Sequence, residues 1–225
     1  MRGRPAIHPH DFTQRGDGLN NEHQIRKGLR RSDPDRPRPL ADAVLRLIWE
    51  QRRISRAEIA RLAGLSRSTV SEVVGEILPM GLIAEIGEGE SRGGRRPIVL
   101  EFRDAACVIL GVEMGAAHVA VAMTDLRGRV LAWETCDHAV RTDPVGTRRV
   151  IADLCQRCLA DPAAAGRPLV GIGVAVPSPV DPADPGHLAP VVLPAWEGRL
   201  GLDDLSEDLG APLLVDNDAN LGALA

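Results

Sequence analysis

Long apolar segments are missing from this chain of 225 residues. No run of about 18 apolar residues occurs, so we expect no membrane-spanning helix and no membrane partner. The first ten residues, MRGRPAIHPH, carry positive charges with no apolar stretch behind them, which argues against a secretory signal. We therefore expect a cytoplasmic protein, long enough for one large domain or two small ones.

Lysine is almost absent, because Lys27 is the only one, and arginine supplies nearly all the positive charge. Residues 1–103 contain 19 basic against 14 acidic side chains, whereas residues 104–225 contain 8 against 17. Codon usage explains the choice of arginine over lysine, but it does not explain this split. The basic front predicts an anionic partner for that half alone.

Cysteine is also scarce, with four residues at positions 107, 136, 155 and 158. Cys155 and Cys158 have the spacing of a metal-binding pair, but no second pair of Cys or His ligands matches them. Without an export signal, reduced thiols are the default. We interpret the four as packing and surface thiols, and we expect neither a metal site nor a cofactor.

The first 37 residues are polar, rich in Arg, Asp, Gly and Pro, and show no sustained period. This composition predicts a disordered basic arm over residues 1–37. From Leu40 the pattern changes, because apolar residues recur at helical spacing. They predict a first helix that ends near Arg52.

The segment SRAEIARLAGLSRSTVSEVV predicts two short helices joined by a turn, as in a helix-turn-helix. Ser55 and Glu58 have the spacing of a capping box, and Ser66 can cap the next helix. Gly64 allows the turn between them. The predicted inner faces are Ile59, Leu62 and Ala63 in one helix and Val70, Val73, Val74 and Ile77 in the other.

The second helix of this pair presents short polar and charged side chains near its N-terminal end, where a recognition helix enters the major groove. Hydroxyl groups can bind phosphates or base edges, arginine can pair with guanine, and glutamate can accept from cytosine. A small helical bundle with a solvated face is the alternative, but the basic charge favours double-stranded DNA. The predicted contacts are Ser66, Arg67, Ser68, Thr69, Ser71 and Glu72.

A wing is predicted after these helices. Residues 82–86 and 98–100 can form two strands, joined by the loop GEGESRGGRRP. The arginines of this loop can hold phosphates or enter the minor groove, although a solvated hairpin is the alternative. The predicted contacts are Arg92, Arg95 and Arg96. Residues 38–103 are thus predicted to form a winged helix-turn-helix DNA-binding domain.

The remainder of the chain has the pattern of an α/β domain. Three strand candidates, ACVILGVEM, HVAVAMTD and RVLAWETCD, predict an antiparallel meander, and a helix follows at about residues 144–160. LVGIGVAVP then predicts a buried strand, GLDDLSEDLG a helix and APLLVDND another strand. This alternation of strands and helices is typical of an α/β fold.

Taken in order, SRAEIARLAGLSRSTVSEVV, GGRRP, GVEMG, DLRGRVL, GIGVAVP and VDNDAN resemble the ROK family of sugar-responsive repressors and sugar kinases. The resemblance covers about residues 40–225. It implies a two-domain α+β chain, in which a winged helix-turn-helix precedes a partial actin-like, ribonuclease-H-like α/β sugar-kinase fold over residues 104–225.

The family's domain continues past this point, with a histidine, a cysteine-rich zinc motif and a glutamate that completes the sugar site. The resemblance therefore implies that the chain is a fragment or a truncated product that ends before the zinc motif. The family's dimer contacts also lie largely beyond residue 225, so a homo-oligomer is expected for the full-length form.

A sugar site is implied at Asn217 and Asp218, which match the family's Asn-Asp pair. A strand-end turn with a helix cap is the alternative for these two residues. In the family's kinases the aspartate is the general base, so Asp218 would be catalytic if the chain were a kinase.

Nucleotide binding is not expected. The family's kinases carry an Asp and a Gly-Gly-Thr turn in the first hairpin, where this chain has Glu113 and then Gly115, Ala116 and Ala117. The added methyl groups block close approach of a phosphate to the backbone. Pro177-Ser178 also stands where the family often has Pro-Gly.

We therefore predict a sequence-specific DNA-binding transcriptional regulator, a repressor of sugar-metabolism genes whose ROK domain responds to a sugar, and not an enzyme. The alternative is a ROK-type kinase that phosphorylates a hexose or an amino sugar with ATP. A third hypothesis is an interaction module that binds DNA constitutively or pairs with a full-length relative.

Overall fold

The computed structural model describes residues 39–88, 98–181 and 183–224. The predicted basic arm and the three wing arginines, Arg92, Arg95 and Arg96, lie outside these ranges. Within the described ranges, no helix has both the length and the apolar composition that crossing a bilayer requires.

Three helices and a three-stranded antiparallel sheet, whose last strand along the chain lies in the middle, form the first unit. Its core is one cluster that includes Val44 and Ile48 of the first helix, Val70 and Val74 of the third helix and Leu100 of the sheet. The elements are α1 (Pro39–Gln51), β1 (Arg53–Ser55), α2 (Arg56–Ala63), α3 (Arg67–Ile77), β2 (Ile83–Glu88) and β3 (Ile98–Phe102).

The turn between α2 and α3 forms as the sequence predicts. Ser55 and Glu58 make both bonds of the capping box, and Gly64 ends α2 with a φ of 65°. The left-handed region is open to glycine without steric cost, so this residue suits the turn.

The predicted inner face of α2 is wrong at two positions. Ile59 and Ala60 are buried, whereas Leu62 is 49% exposed and Ala63 is exposed as well. At roughly 100° per residue, Leu62 points about 160° away from Ala60. Ala63 ends the helix and extends past the core.

A five-stranded sheet forms the second unit, with the strand order β6-β5-β4-β7-β8. The first three strands make the predicted antiparallel meander, and β4, β7 and β8 run parallel to one another. The elements are β4 (Val108–Met114), β5 (His118–Thr124), β6 (Val130–Asp137), α4 (Pro144–Leu159), β7 (Leu169–Val176), α5 (Asp203–Leu209), β8 (Leu213–Asn217) and α6 (Asp218–Leu224).

One face of this sheet packs against α4. Ile151 and Leu154 of that helix are buried in the same cluster as Leu110 and Val112 of β4. Cys155 and Cys158 belong to this cluster too, so they pack as small apolar groups, as the sequence predicts.

The opposite face of the sheet is lined by small residues. Gly111 of β4 lies opposite Gly173 of β7, and a Cβ added at either would meet no described atom within 4 Å. Trp133 of β6 and Leu214 of β8 border this face and are 56% and 75% exposed. Among the described residues, this side of the sheet is therefore open.

Candidate DNA interface and effector cleft

The third helix begins at a well-defined cap. Ser66 has extended backbone angles, and its Oγ accepts a hydrogen bond from the backbone N–H of Thr69 at 3.1 Å. The hydroxyl groups of Ser68 and Thr69 each lie 2.8 Å from the same oxygen. The N-terminal end of α3 is therefore ordered before any partner binds.

Most of the predicted contact residues on the outer face of α3 are exposed. Arg67, Ser68 and Glu72 are exposed, and no described residue forms an ion pair with Arg67 or Glu72. Thr69 is half-buried. Ser71 is also exposed, but its Oγ donates to the carbonyl of Arg67 at 2.9 Å, so part of its capacity is used within the helix.

The wing has one strand more than the sequence predicts. β2 and β3 form the expected hairpin, and β1 pairs with the other edge of β3, with Ile54 opposite Leu100. Arg53 on β1 bonds Glu101 on β3 at 2.6 Å. This third strand fixes the base of the wing beside the start of α2.

The parallel strands of the second unit bring several polar groups to one edge of the sheet. β4, β7 and β8 end there, at Met114, Val176 and Asn217. The Nδ2 of Asn217 donates to the carbonyl of Ser178 at 3.1 Å, so the ends of β7 and β8 are joined. This edge is the candidate effector cleft.

Asn217 and Asp218 lie where β8 passes into α6. The Oδ1 of Asn217 accepts from the backbone N–H groups of Ala219 and Asn220 at 3.1 and 3.3 Å, and that of Asp218 from Ala219 at 2.7 Å. The helix-cap interpretation therefore describes the structure. Asp218 is exposed, which leaves its second oxygen accessible to a polyol.

A groove of about 650 Å³ lies beside β8, lined by Leu213 and Val215 on one side and by Arg199, Asp203 and Ser206 on the other. Asn217 and Asp218 are not among its lining residues. The predicted sugar pair therefore belongs to the strand ends and not to this groove.

Comparison with known proteins identifies both units. Residues 43–83 match the winged helix-turn-helix DNA-binding family. Residues 109–225, more than half of the chain, match the ROK family. The chain belongs to the ROK family. The resemblance that the sequence motifs suggested is thus confirmed.

Two of the curated relatives carry the names of transcriptional regulators. The chain is 29% identical over 180 residues to "Xylose repressor" of Bacillus spizizenii, which covers 80% of this chain and 46% of the relative. It is 31% identical over 146 residues to "DNA-binding transcriptional dual regulator NagC" of Escherichia coli K12, over 62% of this chain and 34% of the relative. The chain thus spans half or less of the length of these relatives.

A solved structure shows the same fold. It is a ROK family transcriptional regulator, described as a homolog of the Escherichia coli MLC protein, with a TM-score of 0.61 at 19% identity. The match covers 90% of this chain and 46% of that one. The predicted fold class, a winged helix-turn-helix before an α/β domain of the ROK type, is confirmed.

The first ROK hairpin holds a histidine over its turn. A Cβ added at Gly115 would stand 2.3 Å from the ring of His118, so that ring fills the space directly above the glycine. The same ring lies 3.9 Å from the Oε1 of Glu113. The imidazole thus stands where a phosphate would approach the backbone of Gly115.

Ser178 has a structural use that the sequence did not indicate. It is only 1% exposed, and its Oγ accepts from the backbone N–H of Ala189 at 2.9 Å and donates to the carbonyl of Pro179 at 3.3 Å. The hydroxyl therefore fixes the long loop after β7. From the sequence, Ser178 could be recognised only as a departure from the family's Pro-Gly pattern. The bonds of its hydroxyl agree with the rule that buried polar groups are normally hydrogen-bonded.

The cysteine thiols are the remaining reactive groups, and their surroundings favour packing over metal binding. Burial raises the pKa of Cys155 to about 12, and the neighbouring Cys158 adds to the shift. A metal ligand must be a thiolate, which this environment disfavours. In the described ranges, no three His, Cys, Asp or Glu side chains cluster as metal ligands would.

Proposed function

We propose that the chain is part of a sequence-specific DNA-binding transcriptional regulator, a repressor of sugar-metabolism genes that acts in the cytoplasm. The observation that supports this most is the exposed outer face of α3, capped at Ser66 and carrying Arg67 at its first turn. A recognition helix uses this end in the major groove. The basic charge of residues 1–103 agrees with a polyanionic partner.

A sugar is the proposed effector, bound by Asn217 and Asp218 without being chemically changed. The relatives named "Xylose repressor" and "N-acetylglucosamine repressor" supply two probes, D-xylose and N-acetylglucosamine. In the full-length homo-oligomer, sugar binding would change the spacing of two recognition helices. Because such a coupling is reciprocal, DNA would also weaken sugar binding.

We also propose that the chain is not a kinase. His118 fills the place above Gly115 that a phosphate would need, and Ala116 and Ala117 narrow the turn further. A coupled ADP assay with ATP and glucose, N-acetylmannosamine or D-xylose is expected to stay flat. ADP release that depends on Asp218 would overturn this part.

A duplex selected from a random-sequence pool by the 225-residue chain tests the DNA proposal. Gel-shift titration at fixed salt should show that Arg67→Ala weakens binding about 10- to 100-fold, since one arginine contact to a base is lost. Arg157→Ala is the matched control, because the described residues that pair with this exposed arginine on α4 are acidic groups of the ROK domain. Equal affinities for the two variants would contradict the proposal.

A further inference from the structure

An arginine of the ROK domain reaches into the DNA-binding domain. Arg127 lies in the turn between β5 and β6, yet its side chain is only 16% exposed. Buried Asp125 shapes the turn, because its Oδ1 accepts from the backbone N–H groups of Arg127 at 2.9 Å and Arg129 at 3.0 Å. Gly128 completes the turn with a φ of 75°. The turn thus directs the arginine toward the neighbouring domain.

The guanidinium group of Arg127 makes contacts in two directions. In its plane, Nε donates to Asp104 Oδ1 at 2.8 Å and Nη2 donates to the carbonyl of Trp49 at 2.5 Å. Its central carbon also lies over two aromatic rings, 4.7 Å from the ring centroid of Trp49 and 5.6 Å from that of Phe102. A planar cation can bond and stack at once, which an ammonium group cannot do. We call these four residues the Arg127 junction.

The junction caps a helix of the other domain. Trp49 lies in the last turn of α1, where backbone carbonyls have no partner within the helix and bear partial negative charge. A cation that donates to this carbonyl is therefore favourable. The contact is reciprocal, because Trp49 Nε1 donates to the carbonyl of Leu126 at 3.3 Å.

The junction also connects the two candidate sites. On one side, Ile48 of α1 shares a core with Val70 and Val74 of the recognition helix. On the other side, β5 runs from His118, beside the effector cleft, to Thr124, one residue before Asp125. A strand of this length spans roughly 23 Å. One strand and one helix therefore separate the cleft from α3.

We propose that Arg127 is a positioning residue that sets the orientation of the DNA-binding domain on the ROK domain. It does so by holding the C-terminal turn of α1 against Asp104 and Phe102. A shift at the cleft end of β5 would then reach α3 through this junction. That regulatory consequence rests on the proposed function, whereas the domain-orienting role does not.

Hydrogen exchange of the 225-residue chain tests the role without DNA or sugar. Arg127→Ala should lower amide protection in the last turn of α1 and in β1 by about tenfold or more, since a hydrogen bond to a charged group is lost. Arg127→Lys should not restore this amide protection, because an ammonium group cannot replace the forked hydrogen bonds of the guanidinium group. Arg129→Ala is the control in the same turn, as Arg129 is 78% exposed and its ion pair within the described part of the chain is with Asp125. Amides of β4 and β7 should stay protected in all three variants.

Calorimetry gives a second readout that local damage would not produce. Wild type and Arg129→Ala should unfold in one transition, and Arg127→Ala in two, with the ROK transition unmoved. If Arg127→Ala does not fold, Trp49→Phe removes the bond to Leu126 while keeping an aromatic ring, and it should also separate the transitions. Protection and unfolding of Arg127→Ala equal to those of Arg129→Ala would overturn the proposal. If the chain selected no duplex, the DNA function would be refuted. The comparison of Arg127→Ala with Arg129→Ala would still decide the role of the Arg127 junction.

Discussion

The Oγ of Ser66 accepts the backbone N–H of Thr69 over 3.1 Å, and this bond starts the recognition helix. Replacing such a cap by alanine leaves a donor of the first turn without its partner. We expect Ser66→Ala to lower the free energy of unfolding by about 1 kcal/mol, measured by urea denaturation. Ser66→Asp should keep most of the stability, since aspartate is an equally good cap.

Ser68→Ala is the control for this prediction. Ser68 lies on the same turn and its hydroxyl is 2.8 Å from that of Ser66, but it does not accept the bond from Thr69. Its loss should change stability by less than about 0.5 kcal/mol. A larger effect for Ser68→Ala than for Ser66→Ala would show that the cap is misassigned.

Local signals in the sequence account for most of the first unit. The start and the inner face of α3 could be predicted because the cap at Ser66 and the apolar spacing from Val70 to Ile77 agree. β1 could not, because three residues show no alternation and are held only by pairing with distant β3. The junction was equally hidden: DLRG indicates a turn, but Arg127 meets Trp49 across 78 residues of chain.

The candidate effector cleft shows a second limit on what can be predicted from the sequence. The Asn217-Asp218 pair could be placed at a strand end, because an apolar run stops there. How the pair is bonded depends on Ser178 and on α6, and neither partner is fixed by spacing. These tertiary contacts show the cap bonds, whereas the sugar role of the pair stays a prediction.

A matched pair in α2 tests the corrected inner face of that helix. Ile59 is fully buried and Leu62 is 49% exposed, although the sequence predicted both to face the core. Ile59→Ala should cost about 2–5 kcal/mol of unfolding free energy, because it opens a cavity. Leu62→Ala should cost less than about 1 kcal/mol, and equal costs in urea denaturation would restore the original prediction.

The four thiols should differ in reactivity. Cys107, Cys155 and Cys158 are buried, and burial raises the pKa of each, whereas Cys136 on β6 is only half-buried. Because the thiolate is the reactive form, a disulfide reagent at pH 8 should modify Cys136 first. Cys136→Ser should abolish this fast phase and leave the slow one, as followed by absorbance. Fast modification of two or more thiols in folded protein would contradict the burial.

Alkaline pH should destabilise the protein through the same thiols. Burial raises the pKa of Cys107 from its ordinary 9.0 to about 11, and that of Cys155 to about 12. Between pH 9 and these values the unfolded chain has lost protons that the folded chain keeps. The contribution of these thiols to stability is therefore constant below about pH 9 and falls above it, by up to about 1.4 kcal/mol per pH unit for each thiol.

This window is unusually free of other titrations, because the chain has no tyrosine and a single lysine. Urea denaturation with reductant from pH 8 to 11 should give a falling free energy of unfolding for wild type. Cys155→Ala should start lower, because it leaves a small cavity, but fall less steeply, since one proton fewer is released on unfolding. If the free energy of unfolding fell with pH at the same slope in Cys155→Ala and in wild type, this thiol would already ionise in the folded protein. Its place in the core would then be more open to water than the packing of α4 on the sheet implies.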